Sequence, residues 1–178
     1  MRKTPFASLE QVEAIAADVP TPFYLYDEAG IRERARAVNA AFAWNPGFKE
    51  HFAVKATPNP TLLQILHEEG CGVDCSSYTE LLLSDACGFM GHEIMFSSNE
   101  TPALDMFEAA RLGVLINLDD LTMVDFLEEL VEVPETVFCR YNPGGVFEFG
   151  NGIMDNPGDA KYGMGEDDLV EAFCRLKG

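Results

Sequence analysis

Basic residues are scarce in this sequence. Only 12 of its 178 residues are lysine or arginine, against 30 aspartates and glutamates, so the formal net charge is −18. A chain of this charge repels phosphate backbones and anionic lipid surfaces, which argues against nucleic-acid and membrane partners. A cationic or zwitterionic small molecule is a better match for the charge.

Long apolar runs are also missing. No segment approaches the roughly 20 uninterrupted apolar residues that span a bilayer, and the N-terminus leads into an acidic stretch rather than into the apolar part of a secretory signal. Hydrophobic residues nevertheless make up 47% and charged residues 24% of the chain, as in a globular domain. We therefore predict a globular protein located in the cytoplasm.

The few cysteines and histidines form no pattern typical of a disulfide framework or a metal site. The five cysteines are odd in number and irregularly spaced. On one strand, Cys71 and Cys75 would lie about 13 Å apart at ~3.3 Å per residue, too far to share one tetrahedral ion. His51, His67 and His92 show no ligand spacing either. We predict no metal site.

Short apolar segments, each followed by a helical pattern, recur at intervals of roughly 20 to 24 residues. This spacing is typical of βα units, in which crossover helices join parallel strands. The periodicity alone does not decide between a doubly wound open sheet and part of a (β/α)8 barrel. The predicted strands are 52–55, 72–75, 94–97, 114–117 and 136–141.

Boundary signals predict further elements around this repeat. Ser8 and Gln11 form a capping box for a first helix, and the apolar run 23–26 predicts a strand. Asp119 is predicted to begin a later helix. The last predicted helix spans 166–177. Its apolar side would carry Leu169, Val170, Phe173 and Leu176.

The stretch around Lys55 places a lysine between a short apolar run and turn signals. In a strand, Phe52 and Val54 share one face and Lys55 points to the other. Asn59 is a suitable N-cap for the next helix, and Pro60 is a suitable first residue. Lysines at strand ends are most often simply solvated, so geometry alone does not give Lys55 a function.

The residue sequence of this stretch resembles a known cofactor site. Phe52-Ala-Val-Lys-Ala-Thr-Pro-Asn-Pro60 is similar to the cofactor-lysine motif of the fold-type III pyridoxal-phosphate decarboxylases, diaminopimelate decarboxylases in particular. The resemblance extends from Thr21 to Gly178. It implies that Lys55 binds pyridoxal 5'-phosphate covalently. It also implies an α/β fold, namely a partial (β/α)8, alanine-racemase-like barrel of about five βα units.

A second segment resembles a family motif at a strand end, where parallel βα arrays collect their active groups. Residues 70–81 are similar to the second-strand motif, whose aspartate, here Asp74, lies close to the cofactor lysine. Ser76 and Glu80 are candidates for the substrate rim. Ser77 and Glu80 also form a capping box, however, so Glu80 could serve only to start a helix.

A third segment, 138–144, resembles the fifth-strand Arg-x-Asn-Pro-Gly motif. We expect Arg140 to reach the cofactor and Asn142 to lie at the rim, although a lone arginine at a strand end more often pairs with a surface acid. A later Lys-Tyr-Gly-Met run is similar to a Ser-Lys-Phe-Gly element and places Lys161 at the rim or at a dimer interface. Residues 95–101 differ from the Gly-Asn-Asn-Lys motif that is usual after the third strand. The substrate is therefore not determined by the resemblance.

The resemblance also implies how the chain is organised. Residues 1–27 would lead into the barrel, and residues 28–178 would form an incomplete barrel that binds pyridoxal phosphate. Since five units do not close a barrel of eight, we expect a longer protein, about twice this length, with the last strands and a C-terminal β domain. Much of the site would lie there, so the isolated chain should be nearly inactive. The full-length protein is expected to be a homodimer.

By resemblance, the expected reaction is the decarboxylation of an amino acid, with meso-diaminopimelate giving L-lysine. A decarboxylase of another basic amino acid or polyamine precursor, of the ornithine, arginine or carboxynorspermidine type, would share Lys55. A non-catalytic binding or assembly module that keeps the motifs is a third alternative.

Overall fold

The computed structural model describes residues 4–145, 158 and 162–177. Its α-helices are α1 (Leu9–Asp18), α2 (Glu28–Ala41), α3 (Pro60–Glu68), α4 (Tyr78–Ala86), α5 (Ala103–Leu112), α6 (Thr122–Leu130) and α7 (Glu166–Lys177). Its strands are β1 (His51–Ala53), β2 (Gly72–Cys75), β3 (Ile94–Ser97), β4 (Leu115–Leu118) and β5 (Val137–Cys139). No helix in this part of the chain has both the length and the apolar character needed to cross a membrane.

The strands form one five-stranded sheet in the order β1-β2-β3-β4-β5, and every neighbouring pair is parallel. Each strand therefore pairs with the next one in the chain, and the order never reverses. A doubly wound sheet contains a reversal, whereas a (β/α)8 barrel adds each new strand to the same edge. The observed order indicates a section of barrel wall and confirms the predicted α/β fold.

One face of the sheet holds the core. Val73 is paired with Ile94, and Phe96 with Ile116, and laterally paired residues point to the same side. All four side chains are fully buried beneath the helices. The helix residues that complete this core include Leu63, Leu81, Met106, Val124 and Leu127.

The opposite face of the sheet is more open. Asp74 is paired with Met95, and Ser97 with Asn117. All four side chains on this face are only partly buried. In a barrel this face would be the interior, and it is here that polar groups collect towards the carboxyl ends of the strands.

The N-terminal segment confirms one prediction and corrects another. The capping box of Ser8 and Gln11 is present at the start of α1. The prediction of a strand at 23–26 is wrong, because these residues form no strand. Tyr24 is 89% exposed and stacks on Tyr26 with ring centres 6.3 Å apart. Aromatic residues favour strands where a neighbouring strand is available for pairing. Residues 23–26 have the propensity but pair with no strand in the described part of the chain.

The start of α6 also differs from the prediction. α6 begins at Thr122 and not at Asp119. Asp120 accepts the hydrogen bond from the N–H of Thr122, at 2.8 Å. Either of two adjacent aspartates could cap a helix, so the local sequence did not distinguish them. Asp119 is only 4% exposed and has other partners.

α7 has the predicted bounds, but its inward face is narrower than expected. Leu169 and Leu176 pack against the core, and Ala172 is fully buried. The prediction that Val170 and Phe173 also face inward is wrong, since both are about half exposed. They lie beside the inward stripe of the helix rather than within it.

Candidate functional site

Lys55 lies just beyond β1, in a 3-10 turn formed by Val54–Ala56. The predicted strand through Lys55 is therefore wrong in its last two residues, because β1 ends at Ala53. Val54 is fully buried and anchors the turn in the core, while Lys55 is exposed. The turn ends the side-chain alternation of the strand, but it still presents Lys55 at the carboxyl end of β1.

The start of α3 fixes the chain on the other side of this turn. The side-chain oxygen of Asn59 accepts hydrogen bonds from the N–H groups of Thr61 and Leu62, at 3.0 and 3.3 Å. Pro60 is the first residue of α3. The predicted helix start is thus confirmed. The Lys55 turn is held between a buried side chain and a capped helix, so its backbone position is well defined.

Lys55 opens onto a cavity of about 460 Å³ at the carboxyl ends of the strands. The structure brings four of the predicted site residues to this cavity, namely Lys55, Asp74, Ser76 and Arg140. The other residues that line it are Ser97, Ser98, Asn99, Glu100 and Tyr162. An amine, carboxylates, hydroxyls and a guanidinium therefore meet in one space, although they come from the ends of different strands.

Asp74 lines this cavity and carries one unpaired oxygen. Its Oδ1 is buried and has no hydrogen-bond partner among the described residues. Burial raises the pKa of Asp74, and Glu80 adds to the rise, while a hydrogen bond to Ser97 and the charges of Lys55 and Arg140 oppose it. The net pKa is above that of an ordinary aspartate. A buried oxygen without a partner is suited to accept a hydrogen bond from a ligand or from a neighbouring amine.

Asp74→Asn should stabilise the cofactor-free protein. Because the pKa of Asp74 is raised in the folded state, ionising this carboxyl costs stability once the pH exceeds about 4, the range of an unperturbed aspartate. The variant should therefore melt above wild type at neutral pH. The difference should vanish as the pH falls below about 4, where Asp74 is protonated in both states. Thermal unfolding over a pH series measures this.

Asp85→Asn is the matched control for this prediction. Asp85 lies on α4, is exposed, and is 3.8 Å from Arg111 in a weak surface pair. Its substitution should produce no stabilisation that grows with pH. If the melting temperature of Asp74→Asn relative to wild type fell as the pH rose, the charge of Asp74 would be stabilising and our account of its environment would be wrong.

Glu80 acts as a cap next to the cavity. Its carboxylate accepts hydrogen bonds from the N–H of Ser76 at 2.9 Å and from the hydroxyls of Ser76 and Ser77 at 3.2 Å each. The hydroxyl of Ser77 accepts the N–H of Glu80 at 3.4 Å, which starts α4. Glu80 thereby fixes the backbone of Ser76 at the cavity wall. A direct role for Glu80 in ligand binding stays a prediction.

Arg140 reaches the cavity from just beyond β5. Its Nη1 lies 2.8 Å from Oδ1 of Asp119, and its Cζ lies 5.6 Å from the centre of the Tyr162 ring, within cation–π distance. Asp119 was missed as a site residue by the sequence analysis. The signal that could have found it is its position directly after β4, equivalent to strand-end positions elsewhere in the sheet.

The chain returns to the site at residues 162–164. The N–H of Met164 donates to the carbonyl of Arg140, and the N–H of Asn142 donates to the carbonyl of Met164, both at 2.8 Å. The N–H of Arg140 donates to Leu118 in β4. Since the N–H and C=O of one strand residue point to the same edge, the returning segment lies over the end of β4.

Asn142 ties this returning segment to β5. Its Nδ2 donates to the carbonyl of Tyr162 at 2.7 Å, and its Oδ1 accepts from the N–H of Gly144 at 2.9 Å. The predicted rim role of Asn142 stays a prediction. Lys161 lies outside the described residues, so its predicted role at the rim or at a dimer interface also stays a prediction.

A larger cavity, of about 670 Å³, lies between α2 and β1. Its wall is mostly apolar, and the described residues that line it include no lysine. Burial raises the pKa of its one thiol, Cys71, which makes this thiol a poor nucleophile. The larger cavity has charged side chains of its own, including Arg34 and Glu50, but the smaller cavity is the one that Lys55 lines.

Comparison with known proteins identifies relatives of this chain. Residues 28–177 match the pyridoxal-dependent decarboxylases over their pyridoxal binding domain. Protein TabA of Pseudomonas amygdali pv. tabaci is 40% identical over 154 residues, covering 86% of this chain and 36% of TabA. The diaminopimelate decarboxylase of Bacillus subtilis (strain 168) is 32% identical over 159 residues, covering 84% of this chain and 35% of the enzyme.

A solved structure shares the fold. Diaminopimelate decarboxylase from M. jannaschii, in complex with L-lysine, superposes with a TM-score of 0.80 at 22% identity, covering 94% of this chain and 41% of that one. The match confirms the predicted arrangement of βα units. The chain spans less than half the length of each of these relatives. The pyridoxal binding domain confirms the predicted cofactor.

Proposed function

Because this chain belongs to the pyridoxal-dependent decarboxylase family, we propose that Lys55 is the residue that binds pyridoxal phosphate covalently. One observation carries the proposal: Lys55, Asp74 and Arg140 line a single cavity, and Asp74 has one oxygen without a hydrogen-bond partner among the described residues. The cofactor carries an aldehyde, which a lysine amine attacks, and a phosphate, which cations attract. The donor set of the cavity therefore fits the cofactor.

The residues of the cavity have distinct proposed tasks. Lys55 supplies the nucleophilic amine, and Asp74 orients it by accepting its hydrogen bond. Arg140 binds an anionic group of the cofactor or substrate. Ser76 and Ser97 offer hydroxyls for further hydrogen bonds. When bound, pyridoxal phosphate supplies the electron sink that decarboxylation requires.

For the full-length protein we propose decarboxylation of an amino acid, with meso-diaminopimelate giving L-lysine as the leading substrate assignment. The diaminopimelate decarboxylase relatives support it. The cavity also presents both signs of charge, with Lys55 and Arg140 near Asp74 and Glu100, as a zwitterionic substrate requires. We further propose that the full-length protein is a homodimer, as the family resemblance implies, and that it is located in the cytoplasm.

A second substrate class deserves equal testing. The chain is more similar to TabA, at 40% identity, than to the B. subtilis diaminopimelate decarboxylase, at 32%. Glu100 lines the cavity and lies in segment 95–101, where the residue sequence differs from the usual motif. A carboxylate there can pair with the side-chain cation of ornithine, arginine or a polyamine precursor, whereas it would repel the second carboxylate of diaminopimelate.

A substrate panel on the full-length protein tests the assignment. Carbon dioxide release is measured with meso-diaminopimelate, L-lysine, L-ornithine, L-arginine and carboxynorspermidine. We expect the highest kcat/KM for meso-diaminopimelate, roughly 100-fold or more above ornithine, because a site built for a polar group rejects an analogue that lacks it. Preference for another member would make the substrate assignment wrong. Cofactor binding without any decarboxylation would favour a non-catalytic module.

A further inference from the structure

We propose that Asp119 is a positioning residue that holds the guanidinium of Arg140 at the cavity shared with Lys55 and Asp74. The inference rests on the proposed function of this cavity. It adds Asp119, which does not itself line this cavity and acts on it through Arg140.

Both oxygens of the Asp119 carboxylate are engaged. Oδ1 lies 2.8 Å from Nη1 of Arg140, and Oδ2 accepts a hydrogen bond from the N–H of Gly163 at 3.4 Å. Asp119 is 4% exposed, whereas the side chain of Arg140 is 39% exposed. The buried carboxylate follows β4 directly and therefore has a defined position. The long side chain of Arg140 is more flexible, and the ion pair with Asp119 restrains it.

The returning segment closes around Arg140 from the other side. Gly163 has φ +85°, and a Cβ built on it would lie 3.1 Å from Cγ of Arg140 and 3.1 Å from Cβ of Asn142. Glycine is therefore required there by its backbone conformation and by the close approach. The ring of Tyr162 lies against the guanidinium. With Asp119, Gly163 and Tyr162 around it, Arg140 extends into the cavity that Lys55 and Asp74 line.

The charge of the chain makes such a tether necessary. With 30 acidic and 12 basic side chains, the surface offers many carboxylates to an arginine that is free to rotate. A buried carboxylate at one fixed point outcompetes them, because an ion pair shielded from water is screened less than an exposed one. Arg140 also lowers the pKa of Asp74, so its position bears on the charge of the residue beside Lys55.

The first test is a double-mutant cycle in the full-length protein. Asp119→Asn should lower kcat/KM up to about 100-fold, as expected when a group is misplaced by an ångström or so. In an Arg140→Ala background the same substitution should change kcat/KM less than about twofold, because Asp119 acts through Arg140. Additive losses would mean that Asp119 acts by another route and would overturn the proposal.

Asp125→Asn is the matched control. Asp125 lies on α6 and pairs with Nη1 of Arg175 at 2.8 Å, the same distance, but on the outer surface of the helices. Its substitution should leave kcat/KM and cofactor binding unchanged. If the wild-type protein is active and Asp119→Asn has the same kcat/KM as Asp125→Asn, the inference about Asp119 is overturned. The proposed function is unaffected by that result.

A titration without cofactor separates the inference from the proposed function. The pKa of Asp74 is followed by carboxyl NMR in cofactor-free protein, where Lys55, Glu80 and Ser97 face it unchanged in every variant. Asp119→Asn and Arg140→Ala should both raise this pKa, and Asp125→Asn should not. If wild type did not bind pyridoxal phosphate, the proposed function would fail, and this titration would still decide the role of Asp119.

A second variant covers the case in which Asp119→Asn does not fold. Gly163→Ala displaces Cγ of Arg140 from the opposite side and leaves the Asp119 carboxylate in place. It should lower kcat/KM, raise the pKa of Asp74 and lose its effect in the Arg140→Ala background. Normal kinetics and an unchanged Asp74 titration in Gly163→Ala would show that the position of Arg140 is unimportant.

Discussion

Lys55→Ala in the full-length protein should abolish covalent attachment of pyridoxal phosphate and lower kcat by roughly 10³-fold or more. Alanine has no amine to attack the aldehyde of the cofactor. The fold should survive, because Lys55 is exposed and the neighbouring Val54 anchors the turn in the core. Visible absorbance of the bound cofactor, and the mass of the protein after borohydride reduction, measure attachment directly.

Two control variants isolate the amine of Lys55. Lys49→Ala removes a lysine close to β1, whose Nζ lies 3.3 Å from Glu93, and should leave attachment intact. Lys55→Arg keeps the positive charge but lacks a nucleophilic amine, so it should bind the cofactor without a covalent bond. A covalent adduct in Lys55→Ala would place the cofactor on another lysine and would show that the assignment is wrong.

The local signals in the sequence predicted individual elements well. β2 and β3 occupy their predicted residues, and α7 has its predicted bounds. The Asn59 cap and the Ser8 capping box are also present as expected. The two caps depend on contacts within a few residues, since in each a side chain accepts from an N–H two or three positions later.

Features that depend on distant partners were not predictable in the same way. Whether the run 23–26 becomes a strand depends on a neighbouring strand edge, and the strand order depends on the whole sheet. The pairing of Asp119 with Arg140 joins the ends of two neighbouring strands. Hydrophobic periodicity describes which face of an element is buried, but it carries no information about which polar side chains meet.

The candidate site likewise has some residues that sequence motifs predicted and others that they did not. The motif resemblance pointed to Lys55, Asp74 and Arg140, and the structure brings all three to one cavity. The expectation that active groups collect at strand ends also covers Ser97, the last residue of β3, whereas the motifs gave no role to Tyr162. The cavity is thus a product of the parallel sheet, which gathers residues distant in sequence at its carboxyl edge.

Phe96→Ala should cause the largest loss of stability, about 3–5 kcal/mol in the free energy of unfolding. Phe96 lies in β3, the middle strand of the sheet, is fully buried, and is flanked by Cys75 and Ile116 on the neighbouring strands. Truncation opens a cavity that strands on both sides prevent from collapsing. Because domains are stable by only about 5–15 kcal/mol, the loss is a large fraction of the total. Urea denaturation measures it.

Phe173→Ala makes the same chemical change on α7 and is expected to cost less than about 1 kcal/mol. Phe173 is 48% exposed, so alanine removes little buried area and leaves no enclosed cavity. Alanine also has a higher helix propensity than phenylalanine, which offsets part of the loss. Hydrophobic periodicity alone placed Phe173 inward, and the two variants therefore compare burial in the structure with burial inferred from the sequence. Equal losses of stability in the two variants would show that Phe173 is buried, and the outward orientation of this face of α7 would then be wrong.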